Sequence, residues 1–252
     1  MLTISLISFI LAVPLFAHKI TATVFTRIVA IVLFYSAILT WNSLYYLPLS
    51  QGGVGLYSGL FHVSTTTLAF QILVCVVGAI LLAGWGPTTN LKFGNSKVGI
   101  KRSVSINTNF VHVNTINEYS MIVLFSVLGS VLLISSYNFL SMYMGIELQS
   151  FAAYILCSLY RNSQSATFAG LKYFLLGSLA SGIIVLGTAI IYAGTGITGF
   201  DDLATLISVG DISSANTYVT LSMAGGLLLI GIGYIFKVGA APLYNWAPDV
   251  YD

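Results

Sequence analysis

The sequence predicts an all-α protein, a polytopic transmembrane helix bundle of about seven membrane-spanning helices, and three observations carry that expectation. Charged residues make up 6% of the 252-residue chain, against about 25% in ordinary soluble domains. Hydrophobic residues reach 57%, more than a soluble domain of this length covers with polar surface. Outside the apolar segments, Lys and Arg fall only in alternate loops. The same composition excludes a large soluble core. A formal net charge of +2 that arises from so few charges carries no argument for nucleic-acid binding.

A hydrocarbon core of roughly 30 Å needs about 20 helical residues, and that length sets the segments. The first, over 2–17, is short, contains Pro14, and lacks the positive leader region of a cleaved secretory signal, so it is expected to be retained. The second follows Arg27 and ends near residue 46. A nearly uncharged, Gly-rich connector over 51–67 precedes the third, 68–85, and a polar loop over 86–117 follows it. The fourth and fifth, 118–136 and 138–160, are separated only by a turn at Ser135, Ser136 and Tyr137, which makes them an antiparallel hairpin. The sixth covers 166–192, and an acidic segment with Asp201, Asp202 and Asp211 leads to the seventh, 218–246.

Basic loop residues bias toward the side from which a membrane protein is inserted. Lys19 and Arg27 follow the first segment, Lys92, Lys97, Lys101 and Arg102 the third, and Arg161 the fifth, whereas the loops after the second, fourth and sixth hold none. An amino terminus on the outer side and a carboxyl end on the matrix or cytoplasmic side satisfies every loop. Cys75 and Cys157 lie inside apolar segments, where a disulfide framework is not expected.

Glu147, Lys172 and Lys237 are the charges set deep in apolar segments. Such a charge at mid-bilayer costs roughly 2.5 to 3.5 kcal/mol on insertion scales, which makes it a functional-site candidate. In the fifth segment Tyr143, Glu147, Ser150, Tyr154 and Ser158 follow spacings of four, three, four and four residues, one polar stripe on a 3.6-residue helix. That stripe should face the bundle interior, with its hydroxyls ordering water around the carboxylate, or Glu147 pairs with a neighbouring Lys to fix packing. Lys172 lies about two turns into its helix, where it either works with Glu147 or snorkels to the interface. Gly177 with Ser181, and Ser178 with Gly182, are small pairs that permit close helix contact.

Lys237 precedes Pro242, whose missing N–H frees the Val238 carbonyl, so a kink or break is expected there. On its face Gly233 and Ala240 are small and leave room for water. Broken helices in membranes line water or ion sites. Lysine suits proton transfer because desolvation brings both protonation states within reach, so Lys172 and Lys237 are the expected carriers and Glu147 their modulator. No CxxC cluster, phosphate loop or dinucleotide fingerprint occurs, and His18, His62 and His112 lack ligand spacing.

Three segments, Met144-Gly-Ile-Glu-Leu-Gln-Ser-Phe-Ala-Ala-Tyr-Ile-Leu, Gly170-Leu-Lys-Tyr-Phe-Leu-Leu-Gly-Ser-Leu-Ala-Ser-Gly and Phe236-Lys-Val-Gly-Ala-Ala-Pro-Leu-Tyr-Asn-Trp-Ala-Pro-Asp-Val-Tyr, closely resemble the antiporter-like subunit 2 family of mitochondrial NADH:ubiquinone oxidoreductase, respiratory complex I. The likeness is specific over 118–252 and looser before it, although the run from Gly55 to Val63 also looks like that family's early loop. The resemblance implies a subunit of the proton-pumping membrane arm in the mitochondrial inner membrane, multi-pass, with its amino terminus toward the intermembrane space. It divides the chain into 1–117, helices one to three with their loops, and 118–252, a first antiporter-like repeat cut before its eighth helix. Glu147 matches the family's fifth-helix glutamate, Lys172 its sixth-helix lysine and Lys237 the lysine of its broken seventh helix, together the input half of a proton pathway. It implies no cofactor in this chain, with NAD, ubiquinone, FMN and iron–sulfur clusters in partner subunits. The implied partners are other membrane-arm subunits, further antiporter-like subunits among them, and lipids.

Two departures stand out. Where the family has Pro-Phe-His-x-Trp, this chain has Pro242, Leu243, Tyr244, Asn245 and Trp246, so a histidine relay at 244 is missing. The sequence also stops at Asp252, where the family continues with about seven more helices. A fragment, a truncated chain, and a split subunit whose second polypeptide supplies the remaining helices are all consistent with this. One repeat alone is not expected to complete a path across the membrane. A stand-alone cation/proton antiporter and a structural assembly fragment remain as other readings.

Overall fold

The computed structural model describes residues 1–16, 22–46, 52–84, 118–160, 163–209 and 217–251. In order the chain forms helices α1 (Leu2–Phe16) and α2 (Ala22–Ser43), strands β1 (Val54–Leu56) and β2 (Phe61–Val63), and helices α3 (Thr65–Gly84), α4 (Glu118–Ile134), α5 (Phe139–Cys157), α6 (Gln164–Thr195), α7 (Phe200–Val209), α8 (Thr217–Val238) and α9 (Ala247–Tyr251). The all-α bundle that the composition predicts is present. Of these helices α2, α3, α5, α6 and α8 are long and apolar enough to cross a membrane, and α1 and α4 are shorter apolar helices.

Four expectations change. Arg27 lies within α2, one turn in and exposed, and not in the loop before it. The Gly-rich connector contains an antiparallel hairpin in which Val54 pairs with Val63. The acidic segment contains α7, whose first turn holds Asp201 and Asp202, where carboxylates complement the positive end of the helix. The seventh apolar segment leaves the helix at Val238, well before residue 246. His18, Lys19, Lys92, Lys97, Lys101, Arg102, His112, Arg161 and Asp211 lie outside the described residues.

Two apolar clusters organise the packing. Phe25, Val29 and Leu33 of α2 meet Cys75 and Leu82 of α3, Leu124 and Leu128 of α4 and Phe9 of α1. Phe139 of α5, Ile191 of α6, Leu203 of α7 and Met223 and Ile230 of α8 form the second. The α4–α5 hairpin closes tightly because glycines face backbone on each side. A Cβ on Gly129 would lie 2.7 Å from the Gln149 nitrogen, and one on Gly145 2.9 Å from that of Leu133. The hairpin's turn is fixed by Asn138, whose side chain caps α5 while Ser141 returns a bond to the Asn138 N–H.

The same end of the bundle gathers three connections. Tyr137 donates its hydroxyl to Asp201, and the His62 ring of β2 stacks on Tyr137 with centroids 4.9 Å apart. Asn138 donates to the Thr198 hydroxyl at 2.9 Å. The carboxylate of Asp201 pushes the Tyr137 phenol above its ordinary range, with smaller contributions from desolvation and from Asp202.

Candidate functional site

The site begins with the end of α8. Gly239 takes φ +72, its N–H bonds to the Phe236 carbonyl at 3.0 Å, and the Ala240 N–H bonds to the Ile235 carbonyl at 3.0 Å. This pair of bonds is a Schellman stop, built on a glycine because a left-handed residue with a Cβ is strained there. The helix therefore ends four residues before Pro242, which lies in the non-helical segment that follows. Lys237 occupies the last turn of α8, where the partial negative charge of unpaired carbonyls favours a cation.

From that position the Lys237 ammonium reaches across to α5. Its Nζ lies 2.8 Å from Glu147 Oε1 and donates to Ser150 Oγ, also at 2.8 Å. Both charged side chains are 13% exposed. Glu147 is the ninth of the 19 residues of α5, so the Lys237 ammonium meets that helix at its middle. A helix that ends inside a bundle leaves its last backbone carbonyls to be satisfied there. The Phe236 carbonyl is satisfied a second time by Trp246, whose indole Nε1 donates at 3.0 Å.

The polar stripe of α5 is engaged by direct contacts. Ser150 donates to the Ile146 carbonyl at 2.7 Å and so presents a lone pair to Lys237. Tyr154 is buried and packs edge-on against Tyr173 of α6, centroids 4.6 Å apart, over Gly177. Ser158 covers Gly170 of α6. The expected room for water beside Gly233 is instead filled by Ile184, since a Cβ there would lie 2.3 Å from the Ile184 side chain. Of the two small pairs in α6, Gly177 and Ser181 are buried in the bundle, while Ser178 and Gly182 face outward.

Lys172 does not join Glu147. It forms an ion pair with Asp249 of α9, the two side chains 33% and 40% exposed. Sequence reasoning passed over Asp249, although it is the acid that follows the helix stop in the same run as Lys237. The adjacent Tyr173 ring stacks on Trp246 with centroids 4.3 Å apart and an interplanar angle of 12°. Tyr244 is exposed. Cys75 and Cys157 are free thiols. Among the described residues no group of three or more His, Cys, Asp or Glu side chains is placed to hold a metal ion.

Residues 136–252, which contain Glu147, Lys172, Lys237 and Asp249, match the family model described as NADH:quinone oxidoreductase/Mrp antiporter, transmembrane. Over that region this chain is similar to the NADH:quinone oxidoreductase/Mrp antiporter family. The whole chain is 43% identical to NADH-ubiquinone oxidoreductase chain 2 of Rhizopus oryzae, of which it covers 46%. Slightly more than half of it, 54%, is 38% identical to NADH-ubiquinone oxidoreductase chain 2 of Arabidopsis thaliana, covering 26% of that protein. The chain thus spans about half the length, or less, of the curated family members it matches. Its fold matches a chain of respiratory complex I from Thermus thermophilus with a TM-score of 0.64 and 24% identity, over 100% of this chain and 47% of that one. It also matches a chain of the Mrp complex from Dietzia sp. DQ12-45-1b with a TM-score of 0.67 and 17% identity, over 99% of this chain and 42% of that one.

Proposed function

We propose that this chain acts as a proton-translocating membrane-arm segment of NADH:ubiquinone oxidoreductase, complex I, and that NADH oxidation and quinone reduction in partner subunits drive it. The observation that carries the reading is the Lys237–Glu147 pair, little exposed and placed where α8 ends in mid-bundle. A carboxylate beside an ammonium favours the charged form, and moving the two apart favours proton release. The pair to be moved is Glu147–Lys237, and Ser150 gives the lysine a second acceptor while it moves. A helix that ends beside the lysine supplies the place where backbone rearrangement is cheapest, because beyond Val238 there is no i to i−4 ladder to break.

In this reading residues 118–252 form a first antiporter-like repeat, and the remaining helices come from a continuation of the chain or from a second polypeptide. NAD, FMN, ubiquinone and the iron–sulfur clusters reside in partner subunits, beside which further antiporter-like subunits and lipid pack against this chain. The membrane is the mitochondrial inner membrane with the amino terminus toward the intermembrane space, supported by the relatives named for ubiquinone and by the alternate-loop pattern of basic residues.

One competing reading has a specific observation behind it: the pair is fully satisfied by hydrogen bonds and could serve packing alone. Replacing a buried ion pair by neutral groups of similar volume is often neutral or stabilising, whereas removing one partner costs about 3 to 5 kcal/mol. The double variant Glu147→Gln with Lys237→Met separates the readings. A stable complex that oxidises NADH with few protons moved supports translocation, and a stable complex that pumps normally assigns the pair to packing. Intact mass of the native chain with its co-purifying polypeptides tests the assembly. Ion exchange by the reconstituted chain without redox partners would favour a stand-alone cation/proton antiporter.

A further inference from the structure

We propose that Asp249 is a positioning residue for Lys172, and that the segment from the end of α8 to α9 is a strap that ties this second ion pair to the first. The inference rests on the proton-translocation reading and goes beyond it by adding a carboxylate and a physical connection between the two lysines.

Three contacts define the strap. At its start, the Phe236 carbonyl, one residue before Lys237, accepts both the Gly239 N–H and the Trp246 indole at 3.0 Å. In its middle, Trp246 is 5% exposed and lies flat on Tyr173 of α6. At its end, Asp249 meets the ammonium of Lys172, the residue next to Tyr173. A single indole thus touches the backbone beside one lysine and the ring beside the other. Any movement of the α8 terminus that shifts the Phe236 carbonyl pulls on Trp246, and Trp246 is bound to the helix that carries Lys172.

The charges fit the same arrangement. Glu147 is engaged by Lys237, and Lys172 is held by its own carboxylate. Two separate pairs keep the site neutral as a whole, so a change in one alters the field at the other without an unpaired buried charge in the resting state. Half-exposed ion pairs contribute little stability, which leaves placement of Lys172 as the role of Asp249. Asp249 also explains why Lys172, two turns into α6, does not simply reach outward along its own stem: a partner on a different element holds its ammonium.

The test uses the intact NADH-oxidising complex in sealed membrane vesicles, with protons moved per NADH oxidised as the readout beside complex abundance. Asp249→Asn is expected to assemble and to lower that ratio about fivefold, the lower end of ordinary site-to-site couplings. Asp249→Glu is expected to retain the wild-type ratio, and Asp249→Asn combined with Lys172→Met to fall no further than the worse single variant. A wild-type ratio in Asp249→Asn, alongside a lost ratio in Lys237→Ala, overturns the role of Asp249 and leaves translocation standing. A wild-type ratio in Lys237→Ala overturns translocation itself. If Asp249→Asn does not assemble, the exchange K172D/D249K decides: recovery of assembly and ratio supports the pair, and no recovery overturns it.

Discussion

The bundle formed by α1 to α4 and the part formed by α5 to α9 solve packing in different ways. Among the described residues, the first buries Leu33, Leu82, Leu124 and Val29 almost completely, and the polar side chains it buries, Thr26, Ser36, Gln71 and Ser120, are all uncharged. The second places Glu147 and Lys237 at 13% exposure and ends a helix beside them. The first region shows that apolar contact and close helix approach suffice to hold such a bundle together. A buried ion pair is weak grounds for stability, so the second region holds charges that packing of the first kind does without.

The sharpest way to break this contrast is at Lys237. Lys237→Ala is expected to lower the protons moved per NADH oxidised at least tenfold while the complex assembles, and Lys237→Arg is expected not to restore the ratio, because a guanidinium stays protonated. A wild-type ratio in the assembled Ala variant would erase the distinction between the two regions. In the apolar region, Leu124→Ala should destabilise by about 2 to 5 kcal/mol. Thermal unfolding and complex abundance would report that loss, with the proton ratio of the surviving complex unchanged.

Smaller effects sharpen the comparison further. Lys172→Ala should reduce pumping less than Lys237→Ala, because its side chain is 33% exposed and its partner lies on the strap. Equal and complete losses would contradict that ranking. Gly239→Ala should cost about 1 to 2 kcal/mol through the left-handed backbone, measurable as a lowered melting temperature. The least effect is expected from Tyr137→Phe. Its phenol is raised by Asp201 above the ordinary value of about 10, so the bond is intact below that range and is lost only as pH rises through the raised value. Turnover between pH 6 and 9 should match wild type in a pH profile.

The helices were legible because apolar length is a local property, and the stripe through Glu147, Ser150 and Tyr154 was legible because helical period places those residues on one face. The partner of Glu147 was within reach of the same reasoning, since few buried cations compete for it. The helix stop was assigned to Pro242, although Gly239 ends α8 first: a glycine's need for positive φ is invisible until the chain's path is known. Asp249 was missed because its significance depends on a strap folding back along α6. The room expected beside Gly233 reflects the same limit, for a small residue in sequence marks either a space or the close approach of Ile184.

The length of α6 has a mechanical consequence. Its 32 residues extend about 48 Å at 1.5 Å each, against a hydrocarbon slab of roughly 30 Å. The tilt needed to hide that excess exceeds the roughly 40° that membrane helices reach, so α6 must protrude into water. With Lys172 bound to Asp249 two turns from one end and Thr198 held by Asn138 just past the other, α6 is a rod gripped toward both ends, able to carry a displacement along its length.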